Sequence, residues 1–148
     1  MIWKPHVTVA AVIELDGKFL LVEEQTEDGP MFNQPAGHWE QGETLLQGVI
    51  REAREETAYS FVPEHLLGIY TWKHPRKDIT YLRFAFTGQV VDHDPLQNLD
   101  TGIIRAAWLT REEILSSQTR HRSPLIRQCV EDHLGGRRFP LDLINHWA

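Results

Sequence analysis

The sequence predicts an α/β protein, built as one domain over residues 1–148 with helices flanking a β-sheet. The length of 148 residues fits one domain, and the 41% hydrophobic and 24% charged residues are typical of globular chains. Segments rich in β-branched residues are interspersed with segments of helical spacing, without strict strand–helix–strand alternation. No repeat or linker divides them. These observations favour an α+β or a layered α/β/α domain.

The N-terminal part of the chain is predicted to form a β-hairpin and a short third strand. Residues 7–13 and 19–22 are apolar and rich in β-branched side chains, and the Asp-Gly pair at positions 16–17 suits a tight hairpin turn. Residues 31–34 form the third strand, and the two glycines within residues 37–42 indicate a loop.

The strongest helical pattern follows at residues 44–57, where Thr44 and Gln47 form a capping-box pattern. Thr110 and Glu113 predict the start of a second helix in the same way. The other predicted elements are strands at 66–72 and 79–91 joined by a basic loop at 73–77, an acidic loop at 92–102, a strand at 103–109, a helix at 110–117 and a last helix from Ser123-Pro124 to the glycines at 135–136.

Composition and charge exclude several classes of protein. The chain carries 15 Lys and Arg against 21 Asp and Glu, and a net charge of −6 disfavours a general duplex-binding surface. Cys129 is the single cysteine and lies on the apolar stripe of the last helix, so we expect it in the core, with no disulfide and no multi-cysteine zinc site. No apolar run approaches the roughly 20 residues that cross a bilayer. We therefore expect a cytoplasmic monomer or homodimer that acts on a small molecule.

The helix predicted after Thr44 carries a cluster of acidic residues. On a helical wheel, Glu52, Glu55 and Glu56 share an arc of about 100° beside the apolar stripe. These like-charge pairs each cost a few tenths of a kcal/mol, and Arg51 flanks the cluster without lying at its centre. A solvated charged face is the alternative interpretation. We expect a divalent cation to neutralise the cluster, and oxygen donors favour Mg²⁺ or Mn²⁺.

The loop before this helix supplies further carboxylates at Glu40 and Glu43. We predict that Glu43 forms a salt bridge with Arg51, about two helical turns further on, and so fixes the loop onto the helix. A metal held by carboxylates, with open positions, suits phosphate chemistry because it binds phosphate oxygens and lowers the pKa of bound water.

Residues 37–59 combine Gly37, Glu43 and the run Arg51-Glu52-Ala53-Arg54-Glu55-Glu56-Thr57-Ala58-Tyr59 at a spacing that closely resembles the Nudix box of the Nudix hydrolases. The resemblance implies an α/β/α sandwich with a mixed sheet and Mg²⁺-dependent hydrolysis of a diphosphate linkage. Strings at 4–10, 33–38, 82–84, 112–115 and 122–125 are similar to the NudJ-type phosphatase branch, which implies nucleoside tri- and diphosphates or thiamine-type pyrophosphates as substrates.

The resemblance also implies roles for individual residues. Arg51 would organise the site, and Glu52 or Glu55 could assist proton removal. Ala58 stands where the family usually has glycine, so we expect the helix to end differently here. The implied metal ligands are the Gly37 carbonyl, Glu52, Glu55 and Glu56.

Positions outside the box complete the predicted site. Asp100, in the acidic loop, is a candidate acid, metal ligand or general base, with turn capping as the alternative. Arg83 and His38 are candidate contacts for substrate phosphate; for Arg83 the alternative is an outward strand residue paired with an acid. Trp3, Trp39 and Trp72 are candidates for stacking on a ring, with ordinary packing as the alternative.

Three functional alternatives remain open beside this hydrolase. One is a Nudix enzyme for another nucleoside-diphosphate-linked substrate. The second is a non-catalytic module of the same fold that senses nucleotides, and the third is a domain in which the cation is only structural.

Overall fold

The computed structural model describes the whole chain from Met1 to Ala148, with eight strands, three α-helices and two 3₁₀ turns, at Gln118–Arg120 and Leu141–Leu143. In chain order the strands and helices are β1 His6–Val12, β2 Glu14–Leu15, β3 Lys18–Thr26, β4 Gly29–Asn33, β5 Ala36–His38, α1 Leu45–Thr57, β6 Tyr59–Lys73, β7 Thr80–His93, β8 Ile103–Thr110, α2 Arg111–Ser116 and α3 Leu125–Leu134.

The strands form two four-stranded sheets. The first has the order β5-β1-β7-β6, in which β1 and β7 run parallel and the other neighbours are antiparallel. In the second sheet, β3 pairs antiparallel with β2, β4 and β8. The predicted mixed sheet is therefore confirmed, with the strands divided between two sheets.

Helices cover both faces of the first sheet. Alternate residues of β1 enter two different cores: Val9 and Ala11 pack with Val49 of α1, whereas Val12 packs with Ile126 of α3. Cys129 of α3 is fully buried in the second of these cores, as predicted. The layered α/β/α arrangement is thus confirmed. None of the helices has the length and apolar character needed to cross a membrane.

The local turn and cap predictions are confirmed in detail. Asp16 (φ 52°) and Gly17 (φ 78°) both take positive φ, as the hairpin turn requires. Thr44 and Gln47 form the predicted capping box, with the Thr44 hydroxyl accepting from the Gln47 backbone N–H and the Gln47 side chain accepting from the Thr44 N–H. The α2 helix begins with the same reciprocal pair from Thr110 and Glu113.

Three local expectations were wrong. Gly37 and His38, the first two residues of the predicted loop at 37–42, belong to strand β5 because they pair with β1. The β6 strand begins at Tyr59 rather than at residue 66, and Pro63 is tolerated within it because β6 is an edge strand with register shifts around that position. Ala58 takes the left-handed conformation (φ 61°) and its N–H bonds the carbonyl of Arg54, so α1 ends as it would with glycine.

Candidate active site

One large cavity, of about 1160 Å³, is lined by the predicted acidic helix and by the sheet face that α3 covers. It brings together five of the predicted site residues: Gly37, His38, Glu52, Glu56 and Arg83. Arg51, Glu55 and Asp100 lie outside its lining. The remaining walls come from the β3–β4 hairpin, the β6–β7 turn and the segment that leads into α3.

Glu56 is a buried carboxyl group on the cavity wall. Its Oε1 accepts the backbone N–H of Ala36 at 2.9 Å, and it forms no salt bridge with any basic residue. The pKa of Glu56 is raised to about 9, chiefly by burial and also by the nearby charges of Glu52, Glu24 and Asp100, which together outweigh the lowering effect of the Ala36 N–H. A cation placed beside this group would stabilise its ionised form.

Glu52 is the second buried carboxyl group, and it packs directly against Gly37. A Cβ atom at position 37 would lie 2.2 Å from the Glu52 Oε1 atom, so only glycine leaves room for this side chain. Burial raises the pKa of Glu52 to about 7 even though Arg51 donates to it. Position 37 therefore requires glycine because the Glu52 carboxylate occupies the space that a larger side chain would need.

Arg51 is surrounded by four carboxylates, Glu40, Glu43, Glu52 and Glu55; we call this group the Arg51 cluster. Its guanidinium donates to both oxygens of Glu43, at 3.0 and 2.9 Å, which is the predicted salt bridge. It also donates to Glu52 at 2.8 Å and to Glu55 at 3.2 Å, and its Nε lies 3.2 Å from Glu40. The carboxylates hold the pKa of Arg51 above its ordinary value, with the Glu43 hydrogen bonds the largest cause.

The expectation that no cation lies among the three helix carboxylates was therefore wrong. A helical wheel gives the direction in which side chains leave the helix, and the long Arg51 side chain bends along the surface to reach Glu52 and Glu55. Glu56 alone of the three carboxylates has no guanidinium partner.

The carboxylate oxygens of the acidic residues are donors that suit a hard divalent cation. Their side chains, however, are not arranged in a ready-made ligand set. No group of three or more His, Cys, Asp or Glu side chains stands close enough together to hold a metal. Two buried carboxyl groups with raised pKa values nevertheless line one cavity, and their donors are all oxygens. Such donors suit Mg²⁺ or Mn²⁺, and the buried Glu56 has the strongest need for positive charge.

Asp100 is exposed and lies at the C-terminal end of α1. Its backbone N–H donates to the carbonyl of Glu55 at 2.9 Å, which attaches the acidic loop to the helix. Its negative charge contributes to the raised pKa of both Glu52 and Glu56. The loop thus brings a further carboxylate into the electrostatic environment of the site. Glu24 of β3, which the sequence analysis missed, does the same from within the cavity.

Arg83 is a buried guanidinium that contacts no carboxylate. It is only 5% exposed, and it donates to the side-chain oxygens of Gln34 at 2.8 Å and Asn33 at 2.9 Å. Gln34 is itself fixed by donating to the carbonyl of Ile126 at 2.9 Å. We call Arg83, Asn33 and Gln34 the Arg83 pocket. The alternative of an outward strand residue paired with an acid was wrong, because Arg83 faces the cavity and forms no salt bridge.

His38 stands exposed at the edge of the cavity beside a second imidazole. Its Nε2 lies 3.2 Å from the Nδ1 of His6, and partial burial together with the His6 charge lowers the pKa of His38. At neutral pH these effects favour the neutral ring, which offers a hydrogen bond rather than a positive charge.

Trp72 lines the cavity with Tyr81, whereas Trp3 and Trp39 are not part of its lining. The Trp39 indole N–H donates to the carbonyl of Glu43 at 2.8 Å and so supports the loop of the Arg51 cluster. Tyr81, Asn33 and Gln34 were not predicted as site residues, because their positions beside Arg83 and the cavity depend on the sheet.

The predicted basic loop lies at the rim of the cavity and is paired with the opposite hairpin. Arg76 bonds Asp28 at 2.8 Å, and Lys77 pairs with Glu27. The positive charge of this loop is therefore used in contacts between the β3–β4 and β6–β7 turns.

Comparison with known proteins agrees with this geometry. Residues 4–129 match the family model of the NUDIX domain. The phosphatase NudJ of Escherichia coli K12 is 41% identical over 142 residues, which cover 96% of this chain and 92% of that protein. A solved NUDIX hydrolase from Nitrosomonas europaea is 54% identical and superimposes with a TM-score of 0.95 over 97% of this chain and 98% of its own. A UDP-X diphosphatase shares the fold at a TM-score of 0.75 and 22% identity, over 95% of this chain and 68% of its own.

Proposed function

Because the chain belongs to the NUDIX domain family and is a hydrolase of phosphoric anhydrides similar to NudJ-type phosphatases, we propose that it hydrolyses the diphosphate linkage of nucleoside tri- and diphosphates or thiamine-type pyrophosphates with Mg²⁺. The observation that carries the proposal is the lining of one cavity by two buried carboxyl groups, Glu52 and Glu56, and by a guanidinium without an acidic partner, Arg83. Such a cavity suits an anion that arrives together with a divalent cation.

In this proposal the metal is held by Glu52, Glu55, Glu56 and the Gly37 carbonyl. A bound Mg²⁺ or Mn²⁺ would neutralise charge on the phosphate oxygens and lower the pKa of an attacking water. For Glu55 to join this set, it has to exchange its contact with Arg51 for the metal, and its distance from Arg51, 3.2 Å, is the longer of the two helix contacts. The raised pKa values of Glu52 and Glu56 support the need for a positive partner.

Arg83 and His38 are proposed to bind the phosphates. Arg83 holds a full positive charge at a buried position, where its attraction for a phosphate is screened little by water. The amide oxygens of Asn33 and Gln34 orient the guanidinium without neutralising it. His38, at the cavity edge, contributes a hydrogen bond.

The proton of the attacking water needs an acceptor close to the phosphorus. Glu52 and Glu55 are the candidates on α1, and Asp100 is the candidate from the loop. Glu52 is the one of these three that lines the cavity, whereas Glu55 and Asp100 lie outside the lining. Arg51, held by Glu43, keeps this carboxylate in place.

The test is a panel of nucleoside phosphates, thiamine diphosphate, sugar nucleotides and dinucleoside polyphosphates, with products identified by phosphorus NMR. We expect phosphate-releasing cleavage of the first two classes, which requires Mg²⁺ and is abolished by chelator. Binding without turnover on every compound would favour the nucleotide-sensing alternative, and cleavage confined to sugar nucleotides would favour a different substrate class.

A parallel melting experiment addresses the metal. We expect Mg²⁺ to raise the melting temperature of the wild-type chain, and Glu52→Gln to weaken that increase, since a ligand that binds only the folded state stabilises it. An increase without turnover would favour a purely structural cation, and no increase would count against the metal site.

We further propose that residues 1–148 act as one domain and that the protein works in the cytoplasm on a small-molecule diphosphate substrate. The two cores share strand β1, which supports a single folding unit. The buried thiol of the single cysteine, Cys129, is compatible with a reducing compartment.

A further inference from the structure

An aromatic pair lies on the sheet beside Arg83. Tyr81 of β7 pairs with His6 of β1 and with Trp72 of β6, and Arg83 follows two residues after Tyr81. Alternate residues of a strand point to the same face of the sheet. Tyr81 and Arg83 therefore face the same cavity, and Trp72 stands next to Tyr81 on the neighbouring strand.

The two rings are fixed in a stacked arrangement. The centroids of Trp72 and Tyr81 are 5.9 Å apart and their planes differ by 17°. The His6 ring packs its edge against Tyr81 at 5.8 Å, and the His74 ring lies 5.4 Å from Trp72. Both members of the pair are half-buried and line the cavity, so part of a rigid aromatic surface is open to it. Such a surface binds a flat ring with little loss of side-chain entropy.

The spacing of this surface from Arg83 limits what it can bind. The Cα atoms of Tyr81 and Arg83, two residues apart on an extended strand, lie about 6.6 Å from each other. The aromatic surface and the guanidinium are therefore neighbouring but separate contacts on one cavity wall. A compound whose phosphates are joined through a sugar or a short alkyl group to a flat heterocycle can cover both at once. The cavity volume of about 1160 Å³ exceeds the roughly 300–1,000 Å³ of common ligand sites and leaves room for such a ring.

We propose that Trp72 and Tyr81 form a specificity surface that binds a heteroaromatic ring of the substrate while Arg83 binds its phosphate. This proposal rests on the proposed function, because it assigns the ring end of a substrate whose diphosphate end is assigned above. It predicts that the enzyme distinguishes ring-bearing diphosphates from ring-free ones by binding, and not by the chemical step.

The experiment compares ring-bearing ligands, CDP and thiamine diphosphate, with ring-free inorganic tripolyphosphate. Dissociation constants are measured by calorimetry without metal, and KM and kcat with Mg²⁺. In Trp72→Ala we expect the dissociation constant and KM for the ring-bearing compounds to rise by roughly 5- to 150-fold, the range that stacking on an aromatic side chain supplies. The kcat value and the affinity for tripolyphosphate should stay unchanged, and Trp72→Phe should restore most of the affinity.

Trp147→Ala is the matched control, because Trp147 is 91% exposed and lies outside the cavity lining. The proposal is overturned if Trp72→Ala and Tyr81→Ala, with normal melting curves, leave binding of the ring-bearing ligands unchanged. Equal weakening of tripolyphosphate would also overturn it, since the effect would then concern the phosphate end. If the wild-type chain cleaves no diphosphate, the proposed function fails, yet the effect of Trp72→Ala on CDP binding, compared by calorimetry with its effect on tripolyphosphate binding, still decides whether the ring surface exists.

Discussion

Two arginines in this protein are bound in opposite ways. Arg51 contacts four carboxylates and is about one quarter exposed, whereas Arg83 is 5% exposed and donates to two amide oxygens and to the Cys129 sulfur, with no carboxylate among its partners. An ion pair compensates the first charge within the chain, but the second is buried without compensation, which is unfavourable unless a partner comes from outside. The difference separates a charge that holds the structure together from a charge that is available to a ligand. Glu56 is the acidic counterpart of Arg83, since it too is buried without an ion-pair partner.

The sharpest test of this distinction is Glu56→Gln, for which we expect the largest effect. Loss of an outer-sphere partner of a metal costs roughly 10- to 100-fold in activity, and loss of a direct ligand should exceed that range. We expect kcat with Mg²⁺ to fall by more than about 100-fold while circular dichroism stays unchanged. Glu64→Gln is the control, because Glu64 is exposed on β6 and lies outside the cavity lining. Wild-type turnover in Glu56→Gln would remove Glu56 from the site.

Arg83→Met should lower kcat/KM for the diphosphate by about 30-fold or more, which corresponds to roughly 2 kcal/mol for loss of one partner of a buried charge pair. The melting temperature should change little, because removing an uncompensated buried charge offsets the loss of two hydrogen bonds. Arg105→Met is the control, since Arg105 pairs with Glu23 and does not line the cavity. A large fall in stability with unchanged KM would show that Arg83 has a structural role. It would contradict the view that its charge is available to a ligand.

Arg51→Met, unlike Arg83→Met, should clearly lower the stability of the fold. Its removal leaves neighbouring carboxylates without their donor, and hydrogen bonds to charged groups contribute about 1.5–3 kcal/mol. We expect the melting temperature to fall by roughly 5–10 °C, measured by differential scanning calorimetry. Arg54→Met provides the control, because Arg54 is exposed and bonds only Gln97 and Ser60. Equal changes in the two variants would contradict the view that the Arg51 cluster holds the loop to α1.

The smallest effect concerns the pH dependence of stability in chelator. Glu56 has a pKa of about 9 in the folded chain and about 4.3 when unfolded, so between these values the unfolded chain binds fewer protons. Stability from this group is therefore present at low pH and is lost as the pH rises toward 9. Glu56→Gln should remove that loss. We expect the variant to gain at least about 2–4 °C over the wild type between pH 5 and pH 8, equivalent to 1 kcal/mol or more; a constant difference would contradict the buried, uncompensated state of Glu56.

Sequence reasoning was most successful where local chemistry decides the structure. The Asp-Gly hairpin turn, both capping boxes and the contact between Glu43 and Arg51 depend on residues near each other in the chain. It failed where the partner is distant. Pro63 indicates the end of a strand when considered alone, yet it is accommodated because β6 lies at the sheet edge. The end of α1 was also predicted wrongly, because Ala58 adopts the left-handed conformation although this conformation costs about 1 kcal/mol for a residue with a Cβ atom.

In the site, too, the residues that are close in sequence were predicted, and those that meet only in the folded chain were not. The carboxylates of the box were found because they lie one helical turn apart, and their common direction follows from the helix geometry. The neighbours of Arg83 could not be found, since Asn33 and Gln34 lie some 50 residues away and meet it only through the sheet. Tyr81 and Trp72 likewise become a pair only through the register of β6 and β7.

The paired turns at the cavity rim have a consequence for access. The bonds from Arg76 to Asp28 and from Lys77 to Glu27 join side chains that are largely exposed, so dissolved ions weaken them readily. The half-buried contacts of Arg51 are shielded from those ions. Rising ionic strength should therefore weaken the contacts at the cavity entrance before it weakens those of the Arg51 cluster. Added salt should change the rates of ligand entry and release at lower concentrations than it changes the rate of the chemical step.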